Sequence, residues 1–487
     1  MTAPSERLAG DLPIVDAEAA AEIVPDDATV AVSGFGSVGN PKAVPSALAR
    51  AAESGRDLSL SIVSGGSTGE QIDTQLIEAD AMARRYPFQG RSTSRKAIND
   101  RRVAFQDTHI ARLGESVELG TFVDADVAII EAVAVEPGRL VPSTSIGHTP
   151  SYIAAADEVI VEVNESQPIE LAEVHDVFRP GLPPHRGPIP LSAPGERIGD
   201  PWVEFDDSKL RGVVLTDDPD TPYSFREPTE TDQRIADNFA SFMAQEMERN
   251  PALSETIRLQ FGVGSMGNAL MGALSSFETG GRPLEYYGEV IQDGMLDLLE
   301  DGTFRDASAT SLALSEDGQA RLFENIERYD DEIVLRPADI SNRAELIDRF
   351  GVVAVNSGVE IDIYGNVNST HVNGTRMLNG IGGSGDFNRN GVVSVTALPS
   401  TAAGGDISRV RPAVTHVDHT EHDISVIVTE HGVADLRGLS PVERAQEIIT
   451  ECAHPDYRDR LNDYLDHASE EAGHTPHDLD VAYSWLD

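Results

Sequence analysis

The first seventy residues follow a strand–helix–strand pattern. ATVAVSG (28–34) and LSLSIVSGG (58–66) are short apolar runs that end in glycine, as β-strands do. Between them, PKAVPSALARAAES (41–54) reads as a helix opened by Pro41. A βαβ unit of this kind predicts a parallel sheet with helices on its faces. Further strand runs are ADVAII (125–130), DEVIVEV (157–163), LEYY (284–287), VVAVNSGVEIDIYG (352–365) and ISVIVTE (424–430). Helical patterns lie between many of them, including residues 231–250 and 442–453. The fold class expected is α/β throughout.

One internal echo predicts how the chain is organised. GFGSVGN (34–40) and GVGSMGN (262–268) agree at five of seven positions, each after a strand and before a helix-forming segment. Their offset of 228 is close to half of the 487 residues. Two related, open α/β domains are therefore expected, 1–222 and 223–487. The join falls in the polar, proline-bearing stretch DDPDTPYSFREPTETD (217–232). A second proline-rich stretch, 178–201, is too long for an ordinary connection and suggests a functional or bridging loop.

Charge narrows the class. There are 82 acidic and 37 basic side chains, a net charge of −45, and lysine occurs only at Lys42, Lys96 and Lys209. The acidity is spread along the chain, as in Asp26-Asp27, Asp206-Asp207 and Asp330-Asp331. That distribution suits a halophilic protein with a solvated acidic surface, because at ~1 M salt the Debye length is only about 3 Å. No basic stripe is present to bind nucleic acid. The single cysteine, Cys452, rules out an internal disulfide, fits a reducing, cytoplasmic setting, and reads as a small buried side chain at a helix end. The N-terminal stretch has no signal-peptide pattern, and no apolar run is long enough to span a membrane.

Several short motifs carry candidate chemistry, each with a plainer alternative. Residues 34–39 match G-x-G-x-x-G, which suits a dinucleotide, another phosphate-bearing ligand, or simply a tight βα turn. Residues 65–69 match G-x-S-x-G, with Ser67 either an elbow nucleophile or a donor lining a pocket. His416, His419 and His422 are spaced by three, as metal ligands can be, or are polar turn residues. Glu289 and Glu430 each follow a strand, and in parallel α/β sheets ligands bind beyond the carboxyl ends of strands. A surface carboxylate ending a strand would look the same.

Longer stretches are more specific. SGFGSVGNPKAVP, SGGSTG, VPSTSIG, VEVNESQP and LPPHRGPIP in the first half resemble the acetyl-CoA hydrolase/transferase family, among the class I CoA-transferases. So do GEVIQDGMLDLL, ISN, DIYGNVNSTHVNGTRMLNGIGGSGDF, HVDH, VTEHGVADLRGL and CAHPDYR in the second. The resemblance covers nearly the whole chain. It implies two CoA-transferase-like domains, with the active site at their interface and the nucleophile in the C-terminal one.

The resemblance also implies roles. Glu289 is then the nucleophile that carries CoA as a glutamyl thioester, and the backbone N–H groups of Val263 and Gly383 are the oxyanion donors. Asn342 and Glu430 assist. Ser67, Gly382, Gly383, Gly385 and Arg389 bind substrate. Coenzyme A is expected as substrate, with no permanently bound cofactor and no metal. Partners expected are acyl-CoA and short carboxylates, with neither nucleic acid nor membrane, in a homodimer.

In one place the sequence departs from its relatives. They tend to carry lysines in the loop that reads STAAGGDIS (400–408) here, where Ala403 and Asp406 stand instead. Arg389, Arg409, Arg411, Lys42 or backbone amides are then the candidates for the CoA phosphates.

The activity expected is transfer of CoA from acetyl-CoA to succinate, acetate or another short acid. Hydrolysis of acetyl-CoA is the alternative, and a non-catalytic CoA- or nucleotide-binding regulator is a more distant one. The composition makes its own prediction. Stability should rise with salt, so a denaturation midpoint as high in dilute buffer as in molar salt would refute the halophilic reading.

Overall fold

The structure is a computed structural model that describes residues 6–221, 226–274, 278–470 and 472–484. It divides into two compact units. One comprises Met1–Ser224 and Tyr286–Leu346; the other comprises Phe225–Glu285 and Ile347–Asp487. The join expected at 222/223 lies outside the described residues. The chain crosses between units three times, so Glu289 and Asn342 belong with the N-terminal residues rather than with the C-terminal part.

The first unit is built on a sheet of nine strands among the described residues. Ala104–Phe105, Met82–Tyr86, Leu60–Val63, Thr29–Val32 and Val127–Glu136 run parallel in that order. Glu158–Asn164 and Leu210–Thr216 extend the parallel set beside Val127–Glu136. Arg139–Pro142 and Val203–Glu204 add an antiparallel flap. The predicted βαβ start is present, with its helix at Ala43–Glu53. That helix turns Val44, Ala47 and Leu48 into a core shared with Val30, Leu60 and Ile62. Each of the valine, leucine and isoleucine side chains contributes roughly 1.5–3 kcal/mol on burial.

The proline-rich stretch 178–201 is anchored within this unit. Arg336 is fully buried, pairs with Asp176, and donates to the carbonyls of Pro194 (2.8 Å) and Glu196. The other oxygen of Asp176 accepts from the amides of Ile198 (2.8 Å) and Gly199 (2.6 Å). One buried ion pair thus supplies the partners that an irregular backbone needs.

The second unit contains the parallel strands Ile257–Phe261, Val352–Asn356, Val393–Ala397 and Val426–Thr429, with Gly432–Asp435 antiparallel beside the last, all part of a sheet of eight strands among the described residues. Helix Glu230–Arg249 begins with a Thr229/Asp232 capping box and buries Ile235, Phe239, Phe242 and Met243 on one face. Helix Pro441–Glu451 ends at Cys452, which is buried as expected. The run 352–365 splits into two strands. Val352–Asn356 stays in the main sheet, while Glu360–Asp362 joins a three-stranded sheet with Val367–Asn368 and Val410–Arg411. Gly358 lies at the break, where a Cβ would come within 2.9 Å of Val367.

The two copies of the glycine echo fold differently. In the second, helix Ser265–Leu274 starts within the motif, as expected. In the first, residues 34–39 form a closed loop with positive φ at Gly34, Gly36, Ser37 and Gly39, and the helix begins only at Ala43.

Local packing also explains the glycine before Glu289. Tyr286 lies in the buried strand Leu284–Tyr287, and its ring folds back over Gly288 so that its hydroxyl donates to the Val290 carbonyl (3.0 Å). A Cβ on residue 288 would overlap that ring, 2.6 Å from Cζ.

Two predictions follow from these packing details. Gly288→Ala should cost about 1–3 kcal/mol through overpacking, seen as a lower denaturation midpoint, and should displace Glu289 and depress turnover. Unchanged stability and turnover would show that the tyrosine yields. Burial pulls the pKa of His175 from its usual 6.5 to about 4 and that of His148 downward. A group held neutral in the fold protonates more readily once unfolded. The stability contributed by the two histidines should therefore be fully present above about pH 6.5 and be lost towards pH 4, with a slope of up to ~1.4 kcal/mol per pH unit for each histidine, opposed by buried carboxylates such as Asp362, whose pKa burial raises to about 6. Urea titrations at pH 7 and 5 would measure this, and His175→Gln should flatten the dependence.

Candidate active site

Glu289 lies just past the strand Leu284–Tyr287 and is half-buried. Its carbonyl accepts from the amides of Thr310 (2.9 Å) and Ser311 (3.2 Å). Its side-chain Oε1 accepts from Asn342 Nδ2 at 2.9 Å. Asn342 is fully buried at the C-terminal cap of the short helix Ala338–Ser341, and its amide bonds back to the Ala338 carbonyl (3.0 Å). Tyr287 Oη donates to Ile340 (2.6 Å) and ties that helix to the strand before Glu289. Burial, reinforced by the Glu289 charge, pushes the Tyr286 hydroxyl pKa up, so it stays a neutral donor. The result is a partly exposed carboxylate whose backbone is pinned and one of whose oxygens is oriented.

The first glycine loop packs beside the segment that follows Glu289. Phe35 and Val38 share a cluster with Val290, Ala313 and Ala338. A Cβ at Gly36 would point at Ser311 and Val290. Ser37 N donates to the Ser67 carbonyl (3.0 Å), which links this loop to SGGSTG. The SGGSTG loop is held from beneath by the buried pair Arg85–Asp73 (2.9 Å). Asp73 accepts from Thr68 N (2.7 Å), while Arg85 donates to the Gly66 carbonyl (3.0 Å). Ser67 is buried, and its Oγ accepts from Gly90 N (3.1 Å). Among the described residues no imidazole bonds to that hydroxyl. The serine–histidine contact that a nucleophile elbow requires is therefore missing.

The phosphate reading of residues 34–39 is also overturned. The helix-start amides and the Gly39 amide are occupied by the protein's own carboxylates, and the Phe35 and Ser37 amides by carbonyls. Glu162 accepts from the N–H groups of Lys42 (2.7 Å), Ala43 (3.0 Å) and Val44 (2.6 Å) at the helix start. Asp220 accepts from Gly39 N (3.1 Å). Lys42, offered above for the CoA phosphates, is 3% exposed and paired with both Glu131 and Asp220. Burial pulls its pKa down, but the two carboxylates outweigh that and raise it. Arg411 is likewise committed, to Glu360 at 2.8 Å and 7% exposed. Neither is available to an external anion.

In the second unit, Glu430 follows the strand Val426–Thr429 and accepts from Ser400 N (2.8 Å) and Oγ (2.6 Å). Gly262 and Gly267 are close-packed, because a Cβ on Gly267 would strike the Gly262 carbonyl. Val263 between them is 44% exposed. Gly382 has φ +58° and Gly383 caps the helix Ser384–Asn390, which contains the buried Gly385. Neither the Val263 nor the Gly383 N–H donates to another described residue. Arg389 is mostly exposed and pairs with Asp423 through two contacts of 3.1 and 3.2 Å. Arg409, half-buried, has no carboxylate within ion-pair distance among the described residues. Burial lowers its pKa against the opposing charge of Glu430.

The three histidines of THVDHTEHD diverge. His416 stacks on His371 (4.1 Å between centroids) and pairs with Asp418 (3.2 Å), His422 is 82% exposed, and His419 is buried against Ser384. Among the described residues no three His, Cys, Asp or Glu side chains are grouped to hold a metal ion. No described helix is long and apolar enough to cross a membrane. The carboxylate–lysine network and the contact of His419 with Ser384 had no signal in short spacings, since their partners lie far apart in the chain.

Comparison with known proteins agrees with these observations. Residues 13–213 match the N-terminal domain model of acetyl-CoA hydrolase/transferase, and residues 318–465 match its C-terminal domain model. The chain is 42% identical over 475 residues to a succinyl-CoA:acetate CoA-transferase of Clostridium kluyveri, covering 97% of this chain and 88% of that one. It is 43% identical over 468 residues to a propanoyl-CoA:succinate CoA transferase of Escherichia coli, covering 95% and 94%. An acetyl-CoA hydrolase of Candida glabrata is 39% identical over 473 residues, covering 93% and 89%. The fold is shared with RipA from Yersinia pestis at a TM-score of 0.72 and 22% identity, covering 93% and 96%. Over both halves, then, the chain belongs to the acetyl-CoA hydrolase/transferase family and is an enzyme of the CoA-transferase and acetyl-CoA hydrolase type.

Proposed function

We propose that this enzyme transfers CoA from acetyl-CoA to a short carboxylic acid such as succinate, through a glutamyl-CoA thioester on Glu289. The observation that carries the reading is the half-buried Glu289 carboxylate oriented by Asn342 Nδ2 at 2.9 Å. A carboxylate oxygen of Glu289 attacks the thioester carbonyl carbon and forms a tetrahedral oxyanion. Collapse breaks the C–S bond, releases the CoA thiolate and leaves a mixed anhydride. The thiolate then attacks the Glu289 carbonyl, expels acetate and forms the glutamyl thioester. An acceptor carboxylate reverses both steps. Covalent catalysis of this kind divides one difficult exchange into easier ones.

The amides of Val263 and Gly383 serve as oxyanion donors in this reading, each worth on the order of 10²–10³ in rate. Asn342 keeps Glu289 aimed, and Ser67, Gly382 and Gly385 line the substrate side. Glu430, bonded to Ser400, orients a donor or carries a proton. Arg409 is favoured for the CoA phosphates over Arg389, whose charge Asp423 already meets.

Hydrolysis is the second reading, favoured by the 39% identity to a protein named acetyl-CoA hydrolase. Water then takes the acceptor's place, and the balance depends on how well the site excludes it.

Incubation with acetyl-CoA in high salt without acceptor, then digestion and mass spectrometry, tests both. A CoA adduct on the Glu289 peptide, discharged by acetate or succinate, is expected. CoA release matching acetate production, with no adduct and no acceleration by carboxylates, would favour the hydrolase. Glu289→Gln should retain CoA binding and lower kcat by on the order of 10³ or more; an active variant would sink the mechanism.

A further inference from the structure

We propose that His419, in the segment HVDH, is a positioning residue that fixes the second glycine loop through Ser384. The inference rests on the reading of Gly383 N–H as an oxyanion donor and assigns the side chains that hold that amide in place.

The geometry gives the relay a direction. His419 is 2% exposed, and its backbone is anchored on both sides: its N–H donates to the Val367 carbonyl (3.1 Å) and its carbonyl accepts from Val367 N (2.8 Å). Its ring Nε2 lies 3.1 Å from Ser384 Oγ, closer than Ser369 Oγ at 3.5 Å. The Ser384 hydroxyl donates to the Ile381 carbonyl at 2.7 Å. A hydroxyl has one proton, so Ser384 can only accept from His419, and Nε2 carries the hydrogen. The chain is His419 Nε2–H to Ser384 Oγ–H to Ile381 carbonyl.

The Ser384–Ile381 bond closes a ring around Gly382 and Gly383, the two residues the backbone must bend through with Gly382 at φ +58°. Gly383 has no side chain to hold its peptide plane, so the plane is set by what binds on either side. On the upstream side, Asn379 Nδ2 donates to the carbonyls of Gly380 (2.8 Å) and Ser369 (3.1 Å), and Leu378 N donates to Thr370 (2.7 Å). On the downstream side, Phe387 N donates to the Gly383 carbonyl (3.1 Å), and the relay from His419 adds the side-chain hold on the Gly382–Gly383 turn. Nearby, His416 and His371 stack on one another, and Asp418 takes the hydroxyl of Thr370. Their contacts leave the relay to His419.

A donor misplaced by about 1 Å costs on the order of 10²-fold in rate, while ground-state binding is little affected. Ser384→Ala and His419→Ala should each lower kcat about 10- to 100-fold, with KM for acetyl-CoA changed less than about threefold. Because both act along one path, the double variant should be no slower than the slower single variant. His419→Gln places an amide N–H near the Nε2 position and should restore most of kcat. Ser384→Ala removes only a hydroxyl and decides the question should the histidine variant fail to fold. Unchanged kcat in Ser384→Ala, multiplicative losses in the double variant, or no recovery with glutamine would overturn the relay. Wild-type turnover without a Glu289–CoA adduct would instead overturn the covalent-glutamate reading, and that outcome is read separately by mass.

Discussion

Three carboxylates and one ammonium are buried together beneath the first glycine loop, and the surroundings of Glu289 depend on how that charge is balanced. Among the described residues, Lys42 is the cation that these carboxylates, Glu131, Glu162 and Asp220, face. Backbone and amide donors make up the difference. Glu162 takes three helix-start amides, Asp220 takes Gly39 N, and Gln167 reaches both Glu131 (3.1 Å) and Asp220 (3.2 Å). Burial pushes the pKa of Glu131 up, against the pull of Lys42. A buried ion cluster of this kind is weak evidence for stability, since desolvation offsets most of the attraction. Its value is geometric. It freezes a loop with four positive-φ residues, and that loop packs against the strand following Glu289.

The same solution recurs at other irregular segments of the chain. Asp73 with Arg85 holds SGGSTG, Asp176 with Arg336 holds the proline-rich stretch, and Glu360 with Arg411 holds the small sheet of the second unit. Asp362 accepts from the amides of Tyr364 (3.0 Å) and Asn366 (2.9 Å) to fold the DIYGN turn. Irregular backbone must find acceptors and donors inside the protein. Here charged side chains supply them, which rigidifies the loops at the cost of burying the charges.

Local patterns in the sequence were sufficient for the α/β class and for most strands and helices, because hydrophobic period and glycine punctuation are local signals. Helix Pro441–Glu451 and its end at the buried Cys452 were legible in this way. The placement of Glu289 past a strand was legible too. What was not legible depends on residues far apart in the chain. G-x-G-x-x-G suited a phosphate loop as well as a tight turn, because nothing nearby in sequence says that Asp220 takes the Gly39 amide and Glu162 the helix start. THVDHTEHD looked like a uniform cluster, yet its three histidines meet a stacked ring, a serine and solvent. Asn342 was placed by resemblance alone, 53 residues after the carboxylate it contacts.

The insertion of Tyr286–Leu346 into the first unit has a consequence for synthesis. When the ribosome has made the first 224 residues, Asp176 is in place but Arg336 has not yet been made. The nascent unit must keep that carboxylate hydrated and the proline-rich segment loose until more than a hundred further residues emerge. A fragment cut near residue 222 would be arrested in the same condition. The first unit is therefore not a module that can be excised or fused by a single cut, and its completion is timed by translation through part of the second.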